Sequence, residues 1–269
     1  MNTLEKKMAE LLKDLRDNHG VISVKAEFEA EGTRMDEAMR LKEVSLRAGL
    51  DLTIKIGGCE ALKDMFEASS LGTKNLVAPM VETPYALTKY LRALKIAYNE
   101  EQRNDMMYFV NIETITAFNN LEAMLKIPEI DLLDGIVLGR VDMTGSLGMT
   151  REDINSPQIL DICLKSAELA KNHNLHVVVG GGVSYHSLQF FHNFPEGHLD
   201  RFETRKIVFE CPKALHISEP AFLIALEFEL LWLKNKKNYY GGIHREDDLR
   251  LEMLETRYRK SIDAVLHQH

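Results

Sequence analysis

The sequence contains few cysteines, and none of them is arranged as a recognisable motif. Cys59, Cys163 and Cys211 are odd in number and scattered along 269 residues, without the spacing of metal-ligand cysteines. Because disulfides form and persist in oxidising compartments, a reduced, cytoplasmic protein is the simplest interpretation.

The sequence also lacks an excess of positive charge and a long hydrophobic segment. Its 33 Lys and Arg residues are outnumbered by 41 Asp and Glu residues, giving a formal net charge of −8. A nucleic acid is therefore not expected as a partner, since phosphate-backbone binding needs a basic surface. The longest apolar stretch, residues 221–233, is interrupted by Glu227 and Glu229 and is too short to span a bilayer. Since the N-terminus has no apolar signal core either, no membrane partner is expected.

What the sequence does contain is a regular alternation of short apolar runs and helical segments. The spacing of roughly 25 to 40 residues per unit is the one that repeated β-α-β connections require. Thr83-Pro84 and Ser156-Pro157 each place a capping residue before a proline at the first helical position. Strands are predicted at residues 21–28, 52–56, 75–79, 107–112, 135–138, 176–180 and 206–209, and helices at residues 35–48, 60–70, 84–98, 116–126, 157–172 and 185–194.

This series predicts either a doubly wound sheet or a closed (β/α)8 TIM barrel. The first strand is not followed by the glycine-rich fingerprint of nucleotide-binding folds, since residues 27–32 read Glu-Phe-Glu-Ala-Glu-Gly. Polar residues recur at several strand ends, and a site fed by many strands is typical of a barrel. Only seven strands are evident, so we predict a TIM barrel that is modified or has a degenerate eighth strand.

The last part of the chain does not follow the alternation. A long helix with a broad apolar face is predicted at residues 219–237, then a break at residues 239–242 and a charged helix from residue 245 to about residue 266. We therefore divide the chain into a barrel domain, residues 1–212, and C-terminal helices, residues 213–269. Their apolar surface is expected to pack on the barrel or on a neighbouring subunit of a homo-oligomer.

Two acidic residues, Glu113 and Asp142, stand at the ends of adjacent predicted strands. A carboxylate in that position is costly to bury unless something pairs with it. In alternating α/β folds this edge is where ligands and metals bind. Two hard oxygen ligands with room for water suit Mg²⁺ or Mn²⁺. The same two residues also fit surface or capping acids that complement a helix dipole.

The two acids lie within a longer pattern that resembles a known family. The pattern consists of Val-Ala-Pro-Met-Val-Glu-Thr-Pro-Tyr-Ala at residues 77–86, Val-Asn-Ile-Glu-Thr at 110–114, Asn-Leu-Glu-Ala-Met-Leu-Lys-Ile-Pro-Glu-Ile-Asp at 120–131 and Asp-Gly-Ile-Val-Leu-Gly-Arg-Val-Asp-Met-Thr-Gly-Ser-Leu-Gly at 134–148. In order and spacing it resembles the HpcH/HpaI aldolase and citrate lyase family, over about residues 20 to 185.

This resemblance implies a metal-dependent (β/α)8 enzyme of the phosphoenolpyruvate/pyruvate superfamily. Such enzymes make or break a carbon–carbon bond through a pyruvate-like enolate, and they are often oligomers with exchanged C-terminal helices. The resemblance assigns Glu113 and Asp142 as ligands of the divalent metal. It also implies that backbone N–H groups of Gly139, Arg140 and Val141 bind the substrate carboxylate. A lyase or aldolase acting on a 2-oxo acid or related acyl substrate, with Mg²⁺ or Mn²⁺ as cofactor, is therefore expected.

The chain departs from the family's pattern at several site positions. Lys55 replaces an arginine that contacts the pyruvyl oxygen, so it keeps the charge but loses the planar fork. Phe28 replaces an acid/base histidine, and the preceding Glu27 matches the family's acid. Asn111 replaces a glutamine on the substrate side, and Arg140 replaces a proline. Lys55 is thus the candidate on the substrate's oxygens. Glu27 is the candidate to orient a metal-bound water or Lys55, unless it is a structural acid paired with Lys55.

Two weaker features follow the sixth predicted strand. Three glycines at residues 180–182 either let the backbone approach a phosphate or carboxylate or mark a tight turn. His186 and His192 share a predicted helix, where a histidine is more often structural than catalytic.

Three alternatives remain open at this point. Lys55 could form a Schiff base with the substrate if its pKa were depressed by burial. The chain could be a divergent enzyme that acts on a sugar acid or a biosynthetic intermediate without releasing pyruvate. It could also be a non-catalytic barrel retained for binding or assembly.

Overall fold

Eight short strands follow one another around a closed barrel in the same order as in the sequence. The computed structural model describes residues 1–217 and 219–266 of the chain. Because most of the strand residues are apolar on both faces, the strands are buried between the barrel interior and the helices outside. The strands are β1 (Val21–Glu27), β2 (Asp51–Lys55), β3 (Asn75–Ala78), β4 (Met107–Ile112), β5 (Gly135–Gly139), β6 (His176–Gly180), β7 (Arg201–Glu203) and β8 (Ile207–Glu210).

Helices occupy most of the connections between the strands. Both predicted proline-flanked caps are present, with the hydroxyl of Thr83 accepting a hydrogen bond from the N–H of Ala86 at 3.1 Å. The hydroxyl of Ser156 accepts from the N–H of Ile159 at 3.4 Å. The helices are α1 (Thr3–His19), α2 (Met35–Ala48), α3 (Leu62–Ser70), α4 (Pro84–Ala97), α5 (Glu100–Asn104), α6 (Ile115–Met124), α7 (Arg140–Ser146), α8 (Pro157–Asn172), α9 (Ser187–Phe191) and α10 (Glu219–Leu266).

The centre of the barrel is filled by a small apolar cluster. It takes one residue from each of four strands, namely Val77, Phe109, Val137 and Val178. Side chains alternate between the two faces of a strand, so the residues two positions further along also point inward. On β4, β5 and β6 these are Asn111, Gly139 and Gly180. The layer above the apolar cluster is therefore polar or open, and this layer forms the base of the candidate site.

The barrel is modified at its last two strands, as the count of seven strands had suggested. The strand missed from the sequence is β7, which has only three residues and no alternating pattern. The predicted strand at residues 206–209 corresponds to β8. Only residues 204–206 connect these strands, and so short a connection cannot return the chain for a parallel pair. β8 therefore runs antiparallel to both β7 and β1, whereas the strands from β1 to β7 pair in parallel.

The C-terminal helix differs from its prediction, because α10 continues through the expected break at residues 239–242. Two interior glycines cost a helix about 1 kcal/mol each, which weakens the helix without ending it. The first half of α10 packs on α1 and buries Phe228 and Trp232. The hydroxyl of Tyr240 donates to Glu37 of α2 at 2.6 Å. From Ile243 to residue 260 the helix side chains are exposed.

The division of the chain at residue 212 stays a prediction. The first half of α10 shares the core of the barrel through Phe222, whose ring stacks on Phe202 of β7 and Phe209 of β8. None of the described helices is long and apolar enough to cross a membrane.

The packing of α10 on the barrel predicts contrasting effects at two adjacent leucines. Leu231 is 6% exposed, whereas Leu230 is 48% exposed. We expect Leu231→Ala to lower the free energy of unfolding by about 2–5 kcal/mol, because it leaves a cavity between α10 and the barrel. The same substitution at Leu230 should change it by less than about 0.5 kcal/mol. Urea denaturation checks both, and equal effects would contradict this docking of α10.

Candidate active site at the barrel mouth

A cavity of about 760 Å³ opens at the carboxyl ends of the parallel strands. Parallel strands bring these ends to one rim, so side chains that are distant in sequence meet there. Seven of the eight predicted site residues line the cavity: Glu27, Lys55, Asn111, Glu113, Gly139, Val141 and Asp142. The structure thus brings together residues of β1, β2, β4, β5 and α7.

Glu113 lies immediately beyond β4 and is only 2% exposed. Its Oε1 accepts a hydrogen bond from the N–H of Met80 at 3.0 Å, and its Oε2 accepts from Nδ2 of Asn111 at 2.8 Å. Burial raises the pKa of Glu113, and nearby Asp142 raises it further, while Lys55 and the two hydrogen bonds act against this. The carboxylate is therefore held in place by neighbours but remains electrostatically unfavourable.

Two backbone features surround this carboxylate. A Cβ atom at Gly139 would lie 2.7 Å from Cβ and 2.8 Å from Oε2 of Glu113, so only glycine allows the approach. Met80 has a left-handed backbone with φ 50°, which costs a non-glycine residue about 1–3 kcal/mol. Since the N–H of Met80 is the group that binds Glu113, the strained conformation directs a donor at the carboxylate.

The residues around Glu113 fit a divalent cation of the Mg²⁺ type. Two carboxylates, Glu113 and Asp142, line one cavity, and Oδ1 of Asn111 is buried without a hydrogen-bond partner. Within the described residues, no cluster of three or more His, Cys, Asp or Glu side chains could hold a metal. Mg²⁺ does not need such a cluster, because it keeps several waters and is usually bound through one or two carboxylates. A cation here would also offset the burial of Glu113.

Lys55, at the end of β2, lies among several carboxylates of the cavity. Its Nζ is 3.0 Å from Oε2 of Glu29. Burial alone would lower the pKa of Lys55, but Glu113, Glu29 and Glu27 outweigh burial and raise it. A Schiff-base lysine needs a depressed pKa, so this environment favours the charged form instead.

A buried ion-pair network forms the opposite side of the cavity, and two of its members were not predicted. Nζ of Lys25 is 2.5 Å from Oε1 of Glu203 on β7 and 3.3 Å from Oε1 of Glu27. Glu27 is thus paired directly with Lys25 rather than with Lys55. Burial would raise the pKa of Glu27, but Lys25 and then Lys55 lower it. Lys25 could have been found from the inward alternation of β1, whereas Glu203 lies on the strand that has no sequence signal.

The side chain of Arg140 does not line the cavity, in contrast to its predicted place in the substrate site. It is fully buried on the other side of α7, where burial lowers its pKa to about 10. Nε donates to the carbonyl of Gly180 at 3.1 Å, and a second nitrogen donates to that of Gly181 at 3.0 Å. The guanidinium also lies 4.8 Å from the ring centre of Phe190. A guanidinium needs several acceptors when it is buried, and here backbone carbonyls supply them.

The three glycines at the end of β6 form a tight turn against α7. Gly181 has φ +81°, and a Cβ atom there would lie 2.7 Å from the backbone nitrogen of Val141. The close backbone approach is therefore to the protein itself. His186, just beyond this turn, lines the cavity, whereas His192 faces His216 with ring centres 6.3 Å apart.

The middle of the chain matches a known protein family. A family model described as HpcH/HpaI aldolase/citrate lyase matches residues 51–179, from β2 to β6. The match to the HpcH/HpaI aldolase/citrate lyase family thus covers the middle of the chain. The resemblance predicted from the sequence is confirmed, and the matched part includes Lys55, Glu113 and Asp142. A comparison with curated proteins gave no match.

Several solved structures share the fold. An HpcH/HpaI aldolase from Desulfitobacterium hafniense is 12% identical, with a TM-score of 0.57 over 71% of this chain and 88% of that one. The citrate synthase SbnG is 13% identical, with a TM-score of 0.58 over 85% and 98%. An HpcH/HpaI aldolase/citrate lyase family protein from Burkholderia cenocepacia is 13% identical, with a TM-score of 0.56 over 84% and 99%. At such identities these likenesses show the barrel and nothing finer.

The buried network predicts a large and pH-dependent effect of removing Lys25. We expect Lys25→Met to lower the free energy of unfolding by about 3–5 kcal/mol at neutral pH, because Glu27 and Glu203 lose their counter-charge. The lowered pKa of Glu27 stabilises the wild type above the ordinary carboxyl range, and this stabilisation is lost as the pH falls through the folded-state pKa. The difference in free energy of unfolding between the wild type and Lys25→Met should therefore become smaller as the pH falls toward about 4.

Urea denaturation at several pH values measures this difference. Lys165→Met is the matched control, because Lys165 forms an exposed ion pair with Asp161 on α8 and should show no measurable effect. A pH-independent loss at Lys25 would indicate lost packing rather than lost charge pairing.

Proposed function

We propose that this HpcH/HpaI family member is a divalent-metal-dependent carbon–carbon lyase or aldolase acting on a 2-oxo acid or a related acyl substrate. The observation that carries the proposal is the burial of Glu113 beside Asp142, in one cavity with Lys55. A carboxylate whose pKa is raised by burial is costly to keep unless a cation joins it. Family membership over residues 51–179 supplies the reaction class.

Glu113 and Asp142 would hold Mg²⁺ or Mn²⁺ in this proposal. When bound, the cation supplies Lewis-acid stabilisation for the negative charge that develops on the oxygen of a 2-oxo acid. Oδ1 of Asn111 is buried and has no hydrogen-bond partner among the described residues. This supports a role for Asn111 in binding the substrate or a bound water. The carboxylate of Glu113 is already oriented, since Met80 and Asn111 donate hydrogen bonds to it.

The remaining polar groups would bind and orient the substrate. Lys55 stays charged among Glu113, Glu29 and Glu27, so it can attract the oxygens of a 2-oxo acid. Glu27 is held ionised by Lys25 and would orient a water in the cavity or Lys55. For the substrate carboxylate we propose the backbone N–H groups of residues 139–141, at the start of α7. The guanidinium of Arg140 has no part in this binding.

We also propose a homo-oligomer assembled through α10, in a reducing cytoplasmic compartment. The part of α10 from Ile243 to residue 260 exposes a series of large apolar side chains, whose burial would need a second copy of the chain. They are Leu249, Leu251, Met253, Leu254 and Tyr258. The three cysteines are all unpaired, which supports a reducing compartment.

Removing the charge of Glu113 should abolish the chemistry without unfolding the protein. With Glu113→Gln, we expect exchange of the methyl protons of pyruvate in D₂O with Mn²⁺ to fall by about a thousandfold, since about 4 kcal/mol of charge stabilisation is lost. Proton NMR follows the exchange, and circular dichroism checks the fold. Glu122→Gln on the exposed surface of α6 is the control and should exchange at the wild-type rate. Unchanged exchange in Glu113→Gln would refute the assignment.

A second test uses the space around Glu113 rather than its charge. Gly139→Ala should weaken Mn²⁺ binding by about 10- to 100-fold, because the added methyl group displaces the carboxylate. At Gly145 on α7, an added Cβ atom meets nothing within 4 Å, so Gly145→Ala should bind Mn²⁺ as the wild type does. Calorimetric titration measures both. If the wild type itself failed to bind Mn²⁺ near millimolar concentrations, a non-catalytic barrel would be favoured.

A further inference from the structure

The cavity has no histidine on β1, where the sequence has Phe28 instead. Phe28 packs against the hydrophobic core and does not line the cavity. His186 does line it, and it is the one histidine to do so among the described residues. It lies on the loop between β6 and α9, and β6 is the neighbour of β5, the strand that precedes Asp142. An imidazole therefore reaches the cavity from a different strand.

Arg140 fixes the loop that carries His186 at both of its ends. At the first end its guanidinium donates to the carbonyls of Gly180 and Gly181, at 3.1 and 3.0 Å. At the second end it donates to the hydroxyl of Ser187 at 3.3 Å. The same hydroxyl accepts a hydrogen bond from the N–H of Ser184 at 3.1 Å. Residues 182–186 are thereby held between two anchored points.

The loop is also held from the side of α10. The ring of Tyr185 meets Phe222 edge to face, with centres 6.3 Å apart. His186 itself is exposed, and its ring neighbour is Tyr185, at 6.1 Å between centres. No hydrogen bond or ion pair within the described residues engages the imidazole. The fully buried Arg140 thus holds the loop in place, whereas the imidazole on that loop is free to interact with a bound molecule.

We propose that His186 transfers the proton in the reaction of this site, and that Arg140 and Ser187 position its loop. This inference rests on the proposed function and names the acid/base group that it lacks. A histidine suits the task because its ordinary pKa lies near neutrality. Arg140 belongs to α7, which also carries Asp142, so one side chain links the proposed metal ligand to the proposed base.

For a 4-hydroxy-2-oxo acid, the proton that His186 takes from the substrate is returned within the same reaction. The neutral imidazole takes the proton of the 4-hydroxyl, the bond between C3 and C4 breaks, and its electron pair forms the enolate of a 2-oxo acid. The resulting imidazolium then returns the proton to C3, so an aldehyde and the 2-oxo acid leave and His186 is neutral again. With pyruvate alone, the imidazole takes a methyl proton and returns a deuteron from D₂O.

Charged groups on several neighbouring elements line the same cavity as His186. Carboxylates come from α7, β7 and α10, and arginines come from the 3₁₀ turn Arg151–Asn155 and from the connection between β7 and β8. These groups are Asp142, Glu203, Glu219, Glu229, Arg151 and Arg205.

Exchange of pyruvate methyl protons in D₂O with Mn²⁺ tests the proposal. His186→Ala should lose about 10²- to 10⁴-fold in exchange rate. Added imidazole should restore a large part of that loss, which it would not do if the side chain were only structural. The variant should bind Mn²⁺ as the wild type does. His192→Ala is the control, because His192 lies at the end of α9 outside the cavity and should exchange normally.

Ser187→Ala tests the positioning of the loop without removing the buried guanidinium. It should lower the exchange rate while leaving the midpoint of the pH–rate profile in place, and imidazole should not restore the rate. Wild-type exchange in His186→Ala, or a loss that imidazole cannot repair, would overturn the role of His186 while leaving the metal site standing. Wild-type exchange in Ser187→Ala would overturn the positioning role. Absence of exchange in the unmodified protein would refute the proposed function and this inference together.

Discussion

The mouth of this barrel depends on the cost of burying the carboxylate of Glu113. Burial raises its pKa, and each neighbouring feature serves to keep the group in place despite that cost. Met80 adopts a strained backbone whose N–H reaches the carboxylate, and Gly139 has no side chain to obstruct it. Lys55 supplies a nearby positive charge. Lys55 is a single positive charge beside two acids, and the proposed cation would offset the remaining negative charge.

Charge pairing organises the rest of the polar layer above the apolar centre of the barrel. Lys25 joins Glu27 to Glu203, and thereby links β1 to β7 across the strand that runs in reverse. Buried ion pairs contribute little net stability, but breaking one is costly. The network therefore acts mainly as a geometric constraint that keeps Glu27 ionised and in a fixed position.

The family pattern is concentrated in the middle of the chain, and the structure departs from a regular barrel at the end. The reversed β8 leaves no room in the sequence for a helix between β7 and β8, and Phe222 of α10 packs on both strands instead. Arg140, where the family pattern has proline, became a buried anchor for the loop after β6. Arg140 contacts the loop of His186 directly, and Phe222 contacts it through Tyr185.

The sequence by itself determined the alternation of strands and helices, the barrel and the two acids at adjacent strand ends. Those features follow from local periodicity and from a series of short motifs in a fixed order along the chain. The direction of β8, the pairing of Lys25 with Glu203 and the outward placement of Arg140 were decided by tertiary structure. Each depends on which groups meet once the barrel has closed. The strand β7 is too short to show a period in the sequence. The buried guanidinium of Arg140 lies where backbone carbonyls from a distant part of the chain accept its hydrogen bonds.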